Sequence, residues 1–313
     1  MDRFQSRHWL PVLTVLFLVF TFFTTGIRPD HYALVVLVNT LFYISPSTKR
    51  LITGLSIFVV YWIIFDSMKS WPNWAFHSVD IEPIYLLEKK LFGIHFNGTT
   101  LTPNEYFDLN ATTTFDITAS IFYLCWIPVP LLFSIYLYFS NKNLFLRFLM
   151  SFFIVNCVGF VLYYTHPAAP PWYYRDYGNV LITEMKSNAA GLLRFDTYFQ
   201  THFFENLYSK GSNVFAAMPS LHAAYPLVGM YYAFKQPVKA IRIFYLIITA
   251  GIWVSAIYLY HHYILDVLAG IACAVIGLAI FEKLLMQKDF YKRFFNYYMN
   301  AILSPEEKLK RQL

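Results

Sequence analysis

Two short segments of the 313-residue chain place ionisable side chains at the start of long apolar stretches. They read Ala216-Ala-Met-Pro-Ser-Leu-His-Ala-Ala224 and Tyr258-Leu-Tyr-His-His-Tyr-Ile-Leu-Asp-Val-Leu-Ala-Gly270. An ionisable group in hydrocarbon costs about 2.5 to 3.5 kcal/mol, so groups retained at such positions indicate a chemical role. The two segments therefore contain the candidate site.

The residue types in these segments fit nucleophilic catalysis. His262 and Asp266 are spaced as neighbours on one helix face, about 5 to 6 Å apart. A carboxylate there accepts the proton of one ring nitrogen and leaves the other nitrogen free to attack. His222, from the other segment, can then exchange protons with the leaving and entering hydroxyl groups. We predict these three residues to be catalytic.

Both segments are also predicted to begin helices in the same leaflet. Free N–H groups and the macrodipole at two helix N-termini would then favour an anion, and phosphate is the usual one. Pro219 suits a first helical turn because it has no N–H to lose, and Ser220 adds a hydroxyl donor. A metal site is the weaker interpretation, since two histidines and one carboxylate lack a further ligand at metal spacing, and no cofactor is indicated.

The composition is that of a chain built for lipid. Hydrophobic residues make up 58% of it, aromatic residues 20% and charged residues only 13%, which excludes a water-soluble globule and a disordered chain. The three cysteines lie singly in apolar runs and are predicted to be buried apolar residues rather than disulfides or zinc ligands. The Lys and Arg residues behind the net charge of +6 are distributed along the chain as expected for loops on the inner side of a membrane. The charge therefore indicates membrane topology and not a nucleic-acid partner.

Membrane-spanning helices must therefore position the two segments. A span needs about 20 mostly apolar residues, and we predict an all-α polytopic membrane protein with about eight of them. The predicted spans are residues 9–26, 32–46, 51–66, 115–140, 145–165, 219–235, 241–260 and 262–282. With both termini in the cytoplasm, sixteen of the 24 Lys and Arg residues lie inside, which puts the candidate site on the outer, periplasmic or lumenal, side.

The same pattern divides the chain into four regions. Residues 1–66 are predicted to be N-terminal transmembrane helices, 67–114 an outer-face interfacial segment, 115–285 a catalytic transmembrane core and 286–313 a basic cytoplasmic tail. The interfacial assignment depends on an amphipathic stretch at residues 82–93, which is typical of a helix in the headgroup plane.

The motifs resemble those of the type 2 phosphatidic acid phosphatase superfamily, P-S-x-H and S-R-x5-H-x3-D. Here they read Pro219-Ser-Leu-His222 and Ser255-Ala256, then five residues, then His262-Tyr-Ile-Leu-Asp266. The resemblance implies a six-helix core. An alanine replaces the superfamily's motif arginine, and its K-x6-R-P motif is missing, with Gly159 and His166-Pro167 at those positions. Such cations hold the dianion of a phosphomonoester, so their loss disfavours a monoester phosphatase.

The chain is more similar to one branch, the fungal and bacterial inositol phosphorylceramide synthases. The similarity lies in Met218-Pro-Ser-Leu-His-Ala-Ala224, His261-His-Tyr-x-x-Asp266, the loop Pro167-Ala-Ala-Pro-Pro-Trp-Tyr173 and the outer stretch 88–107. It implies transfer of inositol phosphate from phosphatidylinositol to ceramide or dihydroceramide, with release of diacylglycerol. A phosphodiester carries a single negative charge, which is compatible with fewer cations.

Substrate contacts are predicted for Ser220, His261 and Arg175, the first outside cation after the aromatic loop. Arg194 and Lys210 are equally placed in the sequence for the cation role. The expected partners are lipid substrates and the bilayer, and no feature specifies an accessory subunit. Two alternatives stay open: a lipid phosphate phosphatase of the same fold, and a proton-coupled transporter or channel whose intramembrane histidines relay protons.

Overall fold

The computed structural model describes residues 9–209, 211 and 213–312, and these residues are mostly helical. The α-helices are α1 (Trp9–Phe23), α2 (Pro29–Ile44), α3 (Pro46–Ser67), α4 (Glu82–Phe92), α5 (Pro103–Leu109), α6 (Thr113–Leu124), α7 (Pro128–Ser140), α8 (Lys142–Thr165), α9 (Pro171–Tyr177), α10 (Leu193–Phe199), α11 (Phe203–Tyr208), α12 (Leu221–Ala233), α13 (Lys239–Tyr258), α14 (Ile264–Ala279), α15 (Asp289–Ile302) and α16 (Pro305–Gln312). A π-helical turn, Ile280–Leu284, extends α14. A small antiparallel hairpin, β1 (Ile94–Phe96) and β2 (Thr99–Leu101), joins α4 to α5.

Four helices in the described part of the chain are long and apolar enough to cross a membrane: Pro46–Ser70, Lys142–Thr165, Lys239–Tyr258 and Ile264–Gln287. Helices α6 and α7 would make a fifth span, bent by 44°. The bend lies just before Pro128, which has no N–H to continue the helix. The architecture is that of a helical membrane protein, as predicted. The other predicted spans coincide with shorter helices, so the count of eight stays a prediction.

Helix α8 is the centre of the bundle and packs against α3, α7, α12 and α14. Asn141 caps its start, since Oδ1 accepts the N–H groups of Asn143 and Leu144 at 3.1 and 3.0 Å. Apolar residues then recur every three or four positions and give the helix a continuous buried face. The fully buried side chains of this face include Phe145, Leu146, Phe148, Leu149 and Val155.

A buried ion cluster joins α2 to α3. Asp66, near the end of α3, accepts a hydrogen bond from Arg28 Nη2 at 2.6 Å, and its other carboxylate oxygen lies 3.1 Å from His31 Nε2. His31 is fully buried, and its Nδ1 accepts the backbone N–H of Arg28 at 3.2 Å, so Nε2 carries the proton that Asp66 accepts. Pairing of this kind is what allows a carboxylate to be buried.

The region predicted as a basic tail is folded in its described part. Helices α15 and α16 occupy most of it, and α15 packs on α3 and α8. Phe295, Met299 and Ile302 are buried there, one helical turn apart, while Phe290 and Phe294 are exposed. An apolar stripe at this spacing makes the segment part of the bundle, which the count of basic residues alone did not reveal.

Candidate active site

Ser220 joins the start of α12 to the start of α14. Its Oγ accepts the N–H of Ala223 at 3.3 Å and so caps α12. Its own N–H donates to the main-chain oxygen of Asp266 at 2.9 Å. Because the serine takes the cap position, Pro219 lies before the helix, and its predicted place in the first helical turn is wrong.

Gly270 allows the two helix starts to approach each other. A Cβ atom at this position would lie 2.1 Å from the main-chain oxygen of Ser220, a contact that no side chain can make without moving the backbone. The last residue of the second sequence segment is therefore a packing residue. It brings the α14 end of the site against the residue that caps α12.

His262 lies before α14 and not on it, so the predicted shared helix face is wrong. The turn between α13 and α14 contains Tyr260 at φ +64°, and the N–H groups of His261 and His262 both donate to the carbonyl of Ala256. Asp266 is in the first turn of α14, and its Oδ2 accepts the N–H of Tyr263 at 2.9 Å. This hydrogen bond turns the carboxylate back toward the imidazole that precedes the helix.

The three predicted catalytic side chains meet. His222 Nδ1 lies 3.1 Å from His262 Nε2, and His262 Nδ1 lies 3.4 Å from Asp266 Oδ2. The second distance is longer than the usual 2.9 to 3.0 Å of an N–H···O bond, so this is a weak contact. Asp266 is fully buried and His262 is 6% exposed. With Asp266 on the Nδ1 side, Nε2 is the nitrogen of His262 that can act as a nucleophile.

Tyr123 on α6 is a site residue that the sequence reasoning missed. Its hydroxyl oxygen lies 2.8 Å from Nδ1 of His222, and its side chain is 1% exposed. Trp126, one turn further, packs its ring 4.5 Å from that of His222. In an apolar span, a tyrosine that holds an imidazole has the same sequence signature as a tyrosine that only packs, so no signal distinguished it.

Tyr123→Phe is expected to lower turnover by roughly tenfold, because a hydrogen bond of about 1 to 1.5 kcal/mol that orients His222 is lost while the ring remains. The lipid KM values should change little. Tyr245→Phe is the matched control: Tyr245 is also buried, and its hydroxyl has no hydrogen-bond partner among the described residues. Steady-state kinetics of the purified variants measure both. Equal turnover for Tyr123→Phe and the wild type would contradict this role.

A second missed residue, Glu88 on α4, caps α14 from outside the helix. Its Oε1 accepts the N–H of Ile264 at 2.9 Å, and its Oε2 accepts the N–H of Leu265 at 3.1 Å. The side chain is fully buried. Burial raises the pKa of this carboxyl group from 4.5 to about 7, although the two hydrogen bonds oppose the shift.

The cap changes the expected electrostatics of the site. The first N–H groups of α14 are bound by Glu88, so they are not free to bind a phosphate. The prediction that two helix N-termini face the phosphate is therefore wrong for α14, and α12 is left for that role. Asn104 on α5 holds the neighbouring turn, since its Nδ2 donates to the carbonyls of Ile257 and His262 at 2.8 and 2.9 Å. Segment 67–114 thus supports the candidate site directly.

The cation predicted to bind the phosphate, Arg175 on α9, lies beside the α13–α14 turn. Its guanidinium stacks 4.7 Å over the ring of Tyr260 and donates from Nε to Asp176 at 2.7 Å. Its side chain is 36% exposed, so a ligand can reach it. Its role in binding stays a prediction.

The other candidate cations differ in accessibility. Arg194 donates from Nε to Asp116 at 2.7 Å and from Nη1 to Asp108 at 2.8 Å. Arg175 also has two carboxylate partners, since its Nη1 lies 3.7 Å from Asp108, so the difference is in exposure: the side chain of Arg194 is 27% exposed and that of Arg175 is 36% exposed. Lys210 lies outside the described residues.

His261 is held by protein groups. Its Nε2 lies 3.0 Å from the carbonyl oxygen of Ala189 and therefore donates to it. Its ring lies between the rings of Tyr123 and Tyr208, each 4.8 Å away. The predicted substrate contact of His261 would have to use the remaining ring nitrogen. The side chain of Ser220 is buried at the cap, where its hydroxyl can still donate.

The fold and the site define a class of protein: a helical membrane protein in which two imidazoles and a carboxylate meet at the starts of two packed helices. The sequence profile of the PAP2 superfamily matches residues 100–280, more than half of the chain, and the chain belongs to this superfamily. The resemblance seen in the motifs is therefore confirmed.

Particular relatives narrow the class. The chain is 43% identical over 293 residues to the phosphoinositol dihydroceramide synthase of Bacteroides thetaiotaomicron, covering 93% of this chain and 96% of the relative. It is 25% identical to the inositol phosphorylceramide synthase catalytic subunit aur1 of Schizosaccharomyces pombe, over 76% of this chain and 56% of the relative. It is 23% identical to the inositol phosphorylceramide synthase of Candida albicans, over 90% and 59% respectively. No solved structure matches the chain at a significant level. The predicted branch is confirmed.

Proposed function

We propose that this protein transfers inositol phosphate from phosphatidylinositol to the primary hydroxyl of ceramide or dihydroceramide and releases diacylglycerol. The observation that carries the proposal is 43% identity, across 93% of the chain, to a protein named phosphoinositol dihydroceramide synthase. The imidazoles of His222 and His262, 3.1 Å apart, supply the nucleophile and the acid–base group that such a transfer requires.

In the first step, Nε2 of His262 attacks the phosphorus of phosphatidylinositol. The bond from phosphorus to the diacylglycerol oxygen breaks, and that oxygen takes a proton from His222. A phosphohistidine carrying the inositol group is formed. Asp266 accepts a hydrogen bond from Nδ1–H of His262 and, as a carboxylate, balances the positive charge on the phosphorylated ring. The direct contact between the two rings must open to admit the phosphorus between them.

In the second step, His222 takes the proton of the ceramide hydroxyl. The resulting oxygen nucleophile attacks the phosphorus, and the bond from phosphorus to Nε2 breaks, which restores free His262. Each imidazole ends the cycle in its original protonation state. The N-terminus of α12, the Ser220 hydroxyl and Arg175 are the groups proposed to bind the phosphoryl oxygens.

Two features support a diester transferase over a monoester phosphatase. The residue at the position of the superfamily's motif arginine, Ala256, is fully buried, and its carbonyl accepts the N–H groups of His261 and His262. A methyl group therefore stands where a phosphate-binding cation is expected. Aromatic side chains also limit the access of water to the site. Tyr260, in the turn between α13 and α14, is buried together with Trp172 and Tyr173. Exclusion of water favours transfer to an alcohol over hydrolysis.

We also propose that the site opens to the outer side of the membrane and that both termini are cytoplasmic. The support is the distribution of Lys and Arg residues along the sequence, which makes every short inside loop basic. In that arrangement α12 and α14 both begin at the outer surface. Cysteine accessibility to an impermeant thiol reagent would report the side of each loop.

The purified protein, incubated with phosphatidylinositol alone and with added ceramide, is expected to form inositol phosphorylceramide, and to release diacylglycerol over repeated turnovers, only in the second mixture. The first mixture should release no more diacylglycerol than the phosphohistidine that accumulates. Mass analysis of the extracted lipids measures both products. A parallel incubation with phosphatidate tests the phosphatase alternative through release of inorganic phosphate. No change in any lipid would contradict an enzymatic function and favour a transporter or channel.

A further inference from the structure

A groove lies between α4 and the first turns of α14, with a volume of about 380 Å³. Its walls are formed by Ile84 and Leu87 of α4 and by Leu265, Leu268 and Ala269 of α14. These side chains are all apolar, and the charged lining residue is Asp80, which precedes α4. A groove of this size and lining fits an apolar chain rather than a polar headgroup.

The groove is lined by residues that neighbour the candidate active site in the chain. Leu265 directly precedes Asp266 in the sequence, and Met218, which also lines the groove, stands two residues before Ser220. Glu88 holds α4 to α14 through its two hydrogen bonds, so the groove is preformed in the unliganded protein. A chain in the groove would therefore belong to a molecule whose polar end can reach the site.

The groove also opens toward lipid. Leu87 and Leu268, on facing walls, are 47% and 48% exposed. Helix α14 belongs to the membrane-crossing segment Ile264–Gln287, and Val275 and Ile276, further along it, are exposed as well. Exposed leucine, valine and isoleucine on a membrane-crossing helix are positions where lipid chains pack. The open edge of the groove therefore faces the acyl chains of the bilayer.

We propose that this groove binds one fatty acyl chain of the donor, phosphatidylinositol, and so positions its phosphate at His262. The proposal rests on the proposed function. The donor is chosen over ceramide because the free enzyme binds the donor first in a double displacement, and the groove is open in the free protein.

Ala269→Phe should fill the groove and raise the KM for dihexadecanoyl phosphatidylinositol at least about tenfold, the effect of losing two or more buried methylenes. The KM for dibutanoyl phosphatidylinositol, whose chains bury little, should stay near the wild-type value. Ala272→Phe, one turn further on α14 and exposed, is the matched control and should change neither KM. An unchanged KM for the long-chain donor, an equal rise for both donors, or a rise for ceramide instead would each overturn the proposal.

Photocrosslinking of the wild type tests occupancy without turnover. Phosphatidylinositol with a diazirine in one acyl chain is irradiated with the protein in vesicles of phosphatidylcholine, and the labelled peptides are identified by mass. Label on α4 and the first turns of α14 is expected, with competition by unlabelled phosphatidylinositol. Label elsewhere only would overturn the proposal. Because crosslinking needs no reaction, a groove that is labelled in a protein without transferase activity would contradict the proposed function and not the groove.

Discussion

Replacement of His262 by alanine is expected to abolish transfer, with a fall in turnover of roughly 10⁴-fold or more, the scale of losing a member of a catalytic triad. The variant loses Nε2, the nitrogen that lies 3.1 Å from His222 and is oriented from the other side by Asp266. Formation of inositol phosphorylceramide from the two lipids, followed by mass, measures the loss. Near-normal turnover by the variant would end the proposed mechanism.

The matched control for this substitution is His202→Ala. His202 is also a histidine, but its side chain is 78% exposed and its Nδ1 pairs with Glu205 at 2.6 Å, outside the site. This variant should retain full activity. A symmetrical elution profile for both variants in detergent shows that the loss at His262 is chemical and not a failure to fold.

Labelled donor lipid distinguishes the two forms of the mechanism. With phosphorus-labelled phosphatidylinositol and no ceramide, the wild type should acquire covalent label as the phosphohistidine accumulates, and His262→Ala should acquire none. If the wild type is active but cannot be labelled, ceramide attacks the phosphorus directly. In that case His262 serves as the base rather than as the nucleophile.

The sequence was sufficient to predict the membrane class, and it also singled out the three proposed catalytic residues, whose side chains the structure brings together, for identifiable physical reasons. Crossing a bilayer demands long apolar runs, and these dominate any other signal in the chain. His222, His262 and Asp266 stand out because ionisable groups are rare beside such runs. The spacing of His262 and Asp266 correctly predicted that their side chains are neighbours, but the predicted cause, a shared helix face, was wrong. A spacing of four positions brings two side chains together on one helix. Here the same spacing brings them together because His262 lies in the turn before α14 and Asp266 lies in the first turn of that helix.

The groups that hold the proposed catalytic residues could not be predicted. Glu88 contacts Ile264 from 176 positions away, and Tyr123 contacts His222 from 99 positions away. Glu88 lies in an amphipathic stretch beside two lysines. In such a stretch, a solvent-exposed glutamate and a glutamate that caps a distant helix cannot be distinguished by their sequence pattern. Only the packing of α4 on α14 distinguishes them.

Glu88→Gln is the variant expected to have the largest effect outside the triad. Gln offers one acceptor oxygen and an NH₂ group to the N–H groups of Ile264 and Leu265, so one of them loses its partner. The first turn of α14, which carries Asp266, should then shift, and a shift of about 1 Å in a catalytic group costs roughly 100-fold in rate. Glu82→Gln is the matched control, because Glu82 is on the same helix and contacts Tyr174 and Asn179 instead of α14.

The pH dependence separates this positioning role from a general loss of stability. Burial raises the pKa of Glu88 from 4.5 to about 7, so the fold favours the neutral carboxyl group. Its contribution to stability is fully present below pH 4.5 and is lost as pH rises through 7. At pH 8 the charged carboxylate therefore lowers the free energy of unfolding, and Glu88→Gln, which is always neutral, should have a Tm no lower than the wild type.

Activity should follow the opposite trend. Above pH 7 the ionised Glu88 accepts both N–H groups, whereas below it the protonated carboxyl group resembles Gln. The ratio of wild-type to Glu88→Gln kcat/KM should rise from a few-fold at pH 5.5 to nearly its full value, roughly 100-fold, at pH 8, while the ratio for Glu82→Gln stays flat. Taking this ratio cancels the titration of the histidines, which both proteins share. A pH-independent ratio, or a fall in Tm that parallels the fall in activity at pH 8, would mean that Glu88 only stabilises the fold.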